Sequence, residues 1–307
     1  MRFLPGPLKK FINENLTSWW WKLAFYKRCE ARKELIKESR KFKVPTLTDR
    51  LEWVKSRKKS DTLFIFGNGS SIARYTQSDW KEIARHDVAL VNDGISMPIT
   101  PQYFFVEAGC KDSLIFNIHK KGEELRETAI LYRMDEIFKY FYKQIPRFLR
   151  PQVIPYSAIV PSYLTHQHLD YFYDRVSASG IDQKVFYEGL VIDSFGSIVR
   201  ALNFGIVMGY KELVLCGVDL KSGEYFFDLM KDSLQKNGFM IPVNSVSNQS
   251  QVHNTVDKTR RSITADDVMY AIAGKLAPSR NVKVSVYRED TLLFPKIPLY
   301  ERNWKSV

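Results

Sequence analysis

After Ser60 the chain alternates short apolar runs rich in β-branched and aromatic residues with longer stretches of helical periodicity, and that alternation leaves few folds open to it. Thr62 to Phe66, Asp87 to Val91, Tyr103 to Glu107, Thr128 to Tyr132 and Glu212 to Gly217 read as buried strands. Asp112 to Glu127, Asp135 to Leu149 and Ser194 to Met208 read as helices, and Thr264 to Leu276 opens with Thr264 three residues before Asp267, a capping pattern. Such a chain builds an α/β body with a mostly parallel sheet covered on both faces, whose ligands gather at the carboxyl ends of the strands. Arg150 to Gln167, interrupted by Pro151, Pro155 and Pro161, reads as a long irregular connection.

Charge divides the chain at about residue 60. The first 60 residues hold 17 Lys and Arg against 6 Asp and Glu, whereas the rest is nearly neutral at 29 against 28. Residues 1–60 are therefore expected to form a helical basic arm and residues 61–307 the body. Trp19, Trp20, Trp21 and Phe25 lie among the arm's cations, a composition that suits an anionic membrane surface and equally suits packing on the body. A nucleic-acid arm is the weaker reading, because the body offers no basic companion groove. No apolar run approaches a membrane span and the first residues lack the apolar core of a secretory signal, so the expected location is cytoplasmic, peripheral at an inner membrane. Cys29, Cys110 and Cys216 are odd in number and share no metal-ligand spacing, which argues against a disulfide framework and a zinc site.

Two segments have the makings of a site. Leu63 to Phe66 runs into Gly67-Asn68-Gly69-Ser70-Ser71, where missing side chains let backbone amides approach an anion at a helix start. The third glycine of a dinucleotide fingerprint and the Gly-Lys-Ser/Thr of a P-loop are both missing. The second segment, Gly209 to Asp219, is a strand ending in Gly217-Val218-Asp219, which puts a carboxylate at the rim where ligands gather. Each segment alone is equally well a plain turn.

Taken in order, these segments resemble a known family. Gly67-Asn68-Gly69-Ser70-Ser71, Asn92 after the second strand, the helix opening near Ser197, Gly217-Val218-Asp219, Tyr225-Phe226-Phe227-Asp228 and Gln251-Val252-His253-Asn254-Thr255 together resemble the bacterial sialyltransferases of glycosyltransferase family 42, over roughly Thr62 to Phe294. The resemblance implies a single Rossmann-like, GT-A-like nucleotide-binding domain with a lid around residues 221–262. It implies inverting transfer of sialic acid from a CMP-activated donor, with no metal and no cofactor beyond the donor itself. Carried over, Asn68, Gly69 and Ser70 would hold the CMP phosphate and ribose, Asn92 the nucleotide and Ser197 the donor, with Asp219 at the rim. Tyr225 would donate to the leaving phosphate and His253 would take the acceptor hydroxyl's proton as general base.

The chain departs from the family's pattern in three places. A paired tyrosine before Tyr225 is replaced near Lys221, which could neutralise a departing phosphate electrostatically. A tyrosine three residues before the histidine is Ser250, and an asparagine on the third strand is Glu107, a carboxylate that would repel a phosphate beside it. The donor implied is therefore CMP-sialic acid, another CMP-nonulosonic acid or CMP-Kdo, and the acceptor a surface saccharide or glycolipid of the lipopolysaccharide or capsule kind. The alternative in another class is a non-catalytic nucleotide-binding protein or flagellin-glycosylation accessory with a related domain. Nucleic acid is not an expected partner.

Overall fold

The computed structural model describes residues 30–107, 112–135, 137–161, 165–194, 196–221, 223–242, 253, 255–259 and 262–301. Eight strands form one sheet: β1 (Thr62–Phe66), β2 (Asp87–Val91), β3 (Tyr103–Val106), β4 (Ala129–Arg133), β5 (Val153–Ile159), β6 (Leu190–Ile192), β7 (Glu212–Cys216) and β8 (Lys283–Val286). Their order across it is β6-β5-β4-β3-β2-β1-β7-β8, and every neighbouring pair is parallel. The chain steps outward from β1 to β6 and then returns to lay β7 on the other side of β1. The carboxyl ends of β1 and β7 thus flank the point where the winding reverses, the position at which open parallel sheets form a crevice.

The strands carry near-continuous apolar runs because both faces are covered. Leu63 and Ile65 of β1 pack with Val199, Leu202 and Phe204 of α8 (Ser197–Val207) on one face. Phe64 and Phe66 point the other way, towards Ile83 of α3 (Gln77–Ile83), Leu114 and Ile118 of α4 (Asp112–Lys120) and the Phe138 and Phe141 of α5 (Phe138–Gln144). The first face also takes α6 (His166–Ser179) and α11 (Ala265–Ala271), which continues into a π turn over Ile272–Leu276. At the start of α11 the Thr264 backbone N–H and hydroxyl both donate to the Asp267 carboxylate, as the capping pattern predicts.

Two expectations change. Val153–Ile159, placed by sequence in an irregular connection, is the strand β5. Pro155 is tolerated there because its carbonyl faces away from β4, accepting from Leu47 N–H at 3.2 Å, and pairing with β6 begins only at Ser157. A strand residue's N–H and C=O point the same way, so the missing proline donor removes no ladder bond. The second change is at the arm. Leu35 of helix α1 (residues 30–42), together with Val44, Leu47, Leu51 and Val54, is buried in the body. The junction at Lys59 and Ser60 is fixed from inside, since both backbone N–H groups donate to the buried Asp87 carboxylate at 2.8 and 3.1 Å, which also accepts from the Tyr210 hydroxyl at 2.7 Å. Trp19, Trp20, Trp21 and Phe25 of the arm, Cys29 and Cys110 lie outside the described residues, as do residues 243–252 in the expected lid. Cys216 is a buried thiol in β7. Among the described residues no helix is long and apolar enough to cross a membrane.

Candidate active site at the carboxyl edge of the sheet

An open cavity of about 250 Å³ lies at the reversal point between β1 and β7. Asn68, Gly69, Asn92, Ser197, Asp219, Tyr225 and His253 all line it, so seven of the nine residues singled out by sequence come together from segments far apart in the chain. Ser70 and Lys221 do not line it, and Lys221 is exposed.

The glycine turn after β1 does something other than its sequence suggests. Gly67 N–H donates to the Cys216 carbonyl at 2.7 Å and Gly69 N–H to the Gly217 carbonyl at 2.8 Å. The Asp219 carboxylate accepts from Ser71 N–H at 2.7 Å and from the Ser71 hydroxyl at 2.5 Å. Three amides expected to cradle an anion are therefore spent joining the turn to the end of β7. The glycines are needed for that close approach: a Cβ on Gly69 would lie 2.5 Å from Asp219 Oδ2 and 2.7 Å from the Gly217 oxygen. Asp219 is the brace of this turn. The segment that follows is a 3-10 turn, Ser70–Arg74, too short to focus a helix dipole.

The longer helix α8 takes over that role. Its N-cap is Gly196, which offers no side-chain cap, and Gly196, Ser197 and Ile198 line the cavity. The first amides of a helix have no intrahelical partner and carry the positive end of the dipole, so an anion entering the cavity meets them. Gly196 has φ of 124°, a left-handed value that glycine adopts without strain.

Ser197 and Asn92 are held by Glu107, at the end of β3. Ser197 Oγ donates to Glu107 Oε2 at 2.6 Å, Glu107 N–H donates to Asn92 Oδ1 at 2.8 Å, and Asn92 Nδ2 reaches Ser197 Oγ at 3.4 Å. Asn92 has φ of 46°, which an asparagine tolerates better than most residues. The repulsion expected of a carboxylate at Glu107 is removed by two arginines. Arg133 at the end of β4 lies 2.8 Å from Glu107 Oε1, and Arg200 of α8 lies 3.0 Å from the same oxygen and 2.6 Å from Asp193. Burial alone would raise the Glu107 carboxyl, but the Arg200 charge, the Ser197 and Arg200 hydrogen bonds and Arg133 outweigh it and hold it below the usual range. Arg200 is fully buried, and two carboxylates beside it keep its guanidinium charged against the cost of that burial.

On the opposite wall, His253 and Tyr225 meet. Tyr225 opens α9 (Phe226–Leu229), bridges to Gly69 and stacks on Phe227 with ring centroids 5.1 Å apart. Its hydroxyl lies 3.5 Å from His253 Nε2. His253 Nδ1 lies 2.7 Å from the Thr255 hydroxyl, which fixes the ring and leaves Nε2 directed at Tyr225. Burial lowers the imidazole below its usual value, so the ring is neutral at neutral pH. Burial, with the Asp228 and Asp93 charges, raises the Tyr225 phenol, which keeps its proton. The pair can accept a proton at the imidazole and donate a hydrogen bond from the phenol. Asn68 also lines the cavity, and its Nδ2 reaches the Val91 carbonyl at 3.5 Å.

Thr255 and Arg200 were not singled out by sequence. A hydroxyl two residues after a candidate base is a local signal that could have found Thr255. Nothing local marks Arg200, which reads as an ordinary helix cation until Glu107 and Asp193 are placed around it.

No family model and no curated protein matches the chain. Among solved structures, those similar to the chain include three sialyltransferase structures. The chain is similar to sialyltransferases of Campylobacter jejuni. The monofunctional α-2,3-sialyltransferase Cst-I is 16% identical over 79% of this chain and 81% of that one, with a TM-score of 0.41. The sialyltransferase CstII in complex with the substrate analogue cytidine-5′-monophosphate is 15% identical over 79% and 85%, also at 0.41. An α-2,3-sialyltransferase in apo form is 14% identical over 79% and 80%, at 0.40. Likeness at this level assigns no residue a role.

Proposed function

We propose that the protein is a glycosyltransferase that moves sialic acid, a related nonulosonic acid or Kdo from a CMP-activated donor to a saccharide or glycolipid acceptor with inversion. The observation that carries the reading is the His253–Tyr225 pair on one wall of a cavity whose other wall is an uncapped helix N-terminus. The donor phosphate sits at Ser197 and the first amides of α8, where the dipole favours its charge. Asn92 and Asn68 supply amide groups for the ribose and base, and the Tyr225 hydroxyl, keeping its proton, donates a hydrogen bond to the phosphate as the bond to the sugar breaks and negative charge collects there. His253 Nε2, neutral and held by Thr255, takes the proton of the attacking acceptor hydroxyl. A single phosphate leaves with less charge than a diphosphate, and the sequence contains no Asp-x-Asp motif, so transfer is expected to continue in excess EDTA. The basic arm brings the enzyme to an anionic membrane where such acceptors are built.

The test is selective stabilisation. Among CMP, CDP, UDP, GDP and NAD, CMP should raise the melting temperature most, and at 100 times its Kd the stabilisation is about 2.7 kcal/mol. Equal or greater stabilisation by a nucleoside diphosphate, or by NAD, would reject the CMP-donor reading.

A further inference from the structure

We propose that the solvent face of α5 and the turn after it is a docking surface for an anionic lipid bilayer, distinct from the basic arm. Residues 137–152 contain Lys139, Lys143, Arg147 and Arg150 and no carboxylate, inside a body that is otherwise nearly neutral. α5 buries Phe138 and Phe141 and turns Lys139, Tyr140 and Lys143 outward together, a contiguous strip at the spacing of one helix face. Tyr140 is 62% exposed, Ile137 40% and Phe148 39%. An exposed tyrosine between two lysines, flanked by isoleucine and phenylalanine, is the composition of a headgroup-level contact: the ring and apolar side chains enter the interface and the cations meet lipid phosphate. Asp135, at the start of this segment, is turned towards the Tyr132 hydroxyl and the Ile137 N–H at 3.0 Å each, and Glu136 is outside the described residues. The cations and the tyrosine share one exposed helix face with apolar side chains beside them, which fits a membrane plane better than a nucleic-acid strand.

Two contacts give the surface its place. Phe42 of α1 packs edge-on against Phe138 with ring centroids 5.5 Å apart, so the described helix of the basic arm meets the body at α5. α5 begins a few residues beyond Arg133, which is bound to the cavity-lining Glu107, so the surface starts at the same edge of the sheet as the cavity. Docking through α5 brings that edge towards the bilayer. That the acceptor is then bilayer-borne rests on the transfer reading, whereas the docking surface does not.

The experiment is sedimentation of the full chain with phosphatidylcholine vesicles containing a quarter phosphatidylglycerol, at 0.1 M salt. Lys139→Gln/Lys143→Gln/Arg147→Gln is compared with Arg85→Gln/Lys211→Gln/Lys283→Gln, which removes equal charge at the amino edge of the sheet, where β2, β7 and β8 begin. Each cation near such a surface contributes about 1 kcal/mol, about fivefold, so the first triple should lower partitioning by roughly 100-fold and the second by less than threefold. Tyr140→Ser, one exposed residue, should weaken binding further at 0.5 M salt, where the charge contribution is screened. Equal losses in the two triples, or an unchanged Tyr140→Ser, overturn the proposal. So does a first triple that keeps its vesicle binding and loses affinity for a single-stranded oligonucleotide, which assigns the face to nucleic acid. Binding is read without turnover, so its failure and the failure of the transfer reading are separate outcomes.

Discussion

Replacing Glu107 by Gln removes the charge that faces Arg200 and Arg133 while keeping the side chain's length and an acceptor oxygen. Breaking a buried pair by removing one partner typically costs about 3–5 kcal/mol. Here Arg200 keeps Asp193 at 2.6 Å, and Glu107 is itself about a fifth exposed, so the loss is reduced to roughly 2–3 kcal/mol. For a chain of this size that corresponds to a fall in Tm of roughly 4–10 °C. Arg133→Ala removes the more exposed partner of the same carboxylate, and solvent screening holds its cost to about 1 kcal/mol or less. The two variants should therefore be well separated in a thermal melt at pH 7. The Glu107 carboxyl is held below its unfolded value, so its stabilisation is full above about pH 4.5 and is lost as pH falls through the folded value. The gap between wild type and Glu107→Gln should accordingly persist from pH 7 to pH 5 and narrow below pH 4.5. A Glu107→Gln protein melting within 1 °C of wild type, or no more destabilised than Arg133→Ala, would refute the claim that Glu107 neutralises a buried arginine.

Gly69→Ala pushes a methyl group into Asp219 and the Gly217 carbonyl and should cost at least about 1–3 kcal/mol in a denaturant melt. Gly274→Ala, with open space around its Cβ in the helical Ile272–Leu276 turn, should be neutral or stabilising by up to about 1 kcal/mol, and the reverse order would contradict the close-approach argument. Tyr225→Phe loses a hydroxyl whose contact with His253 is long at 3.5 Å. Its melting temperature should barely change while turnover falls roughly 10- to 100-fold, and unchanged turnover would remove Tyr225 from stabilising the leaving phosphate.

The inner strands were legible because burial on both faces makes each a continuous apolar run. Thr62–Phe66 and Asp87–Val91 come out with the bounds read from sequence, and three others within about a residue at either end. β5 was hidden by Pro155, since sequence does not say which side of a strand lacks a neighbour. β6 and β8 are only three and four residues long at the two sheet edges, too short for periodicity to register. At the site, residue identities were more legible than their work. Asn92, Ser197, Tyr225 and His253 do converge, whereas the glycine turn is consumed by its seam with β7, a partner 150 residues away. Glu107 looked misplaced because the charges that accommodate it, Arg133 and Arg200, arrive from β4 and α8, which only the sheet order brings beside β3.

The central claim is that His253 removes the acceptor's proton. Transfer from CMP-sialic acid to a soluble saccharide acceptor, measured for wild type and His253→Ala alongside CMP binding, tests it most directly. The expected result is a fall in turnover of about 10²-fold or more with CMP affinity unchanged, and a wild-type rate whose acid limb lies below the usual histidine value of about 6.5 because burial depresses the imidazole. Turnover in His253→Ala within a few-fold of wild type, with CMP still bound, would contradict the account.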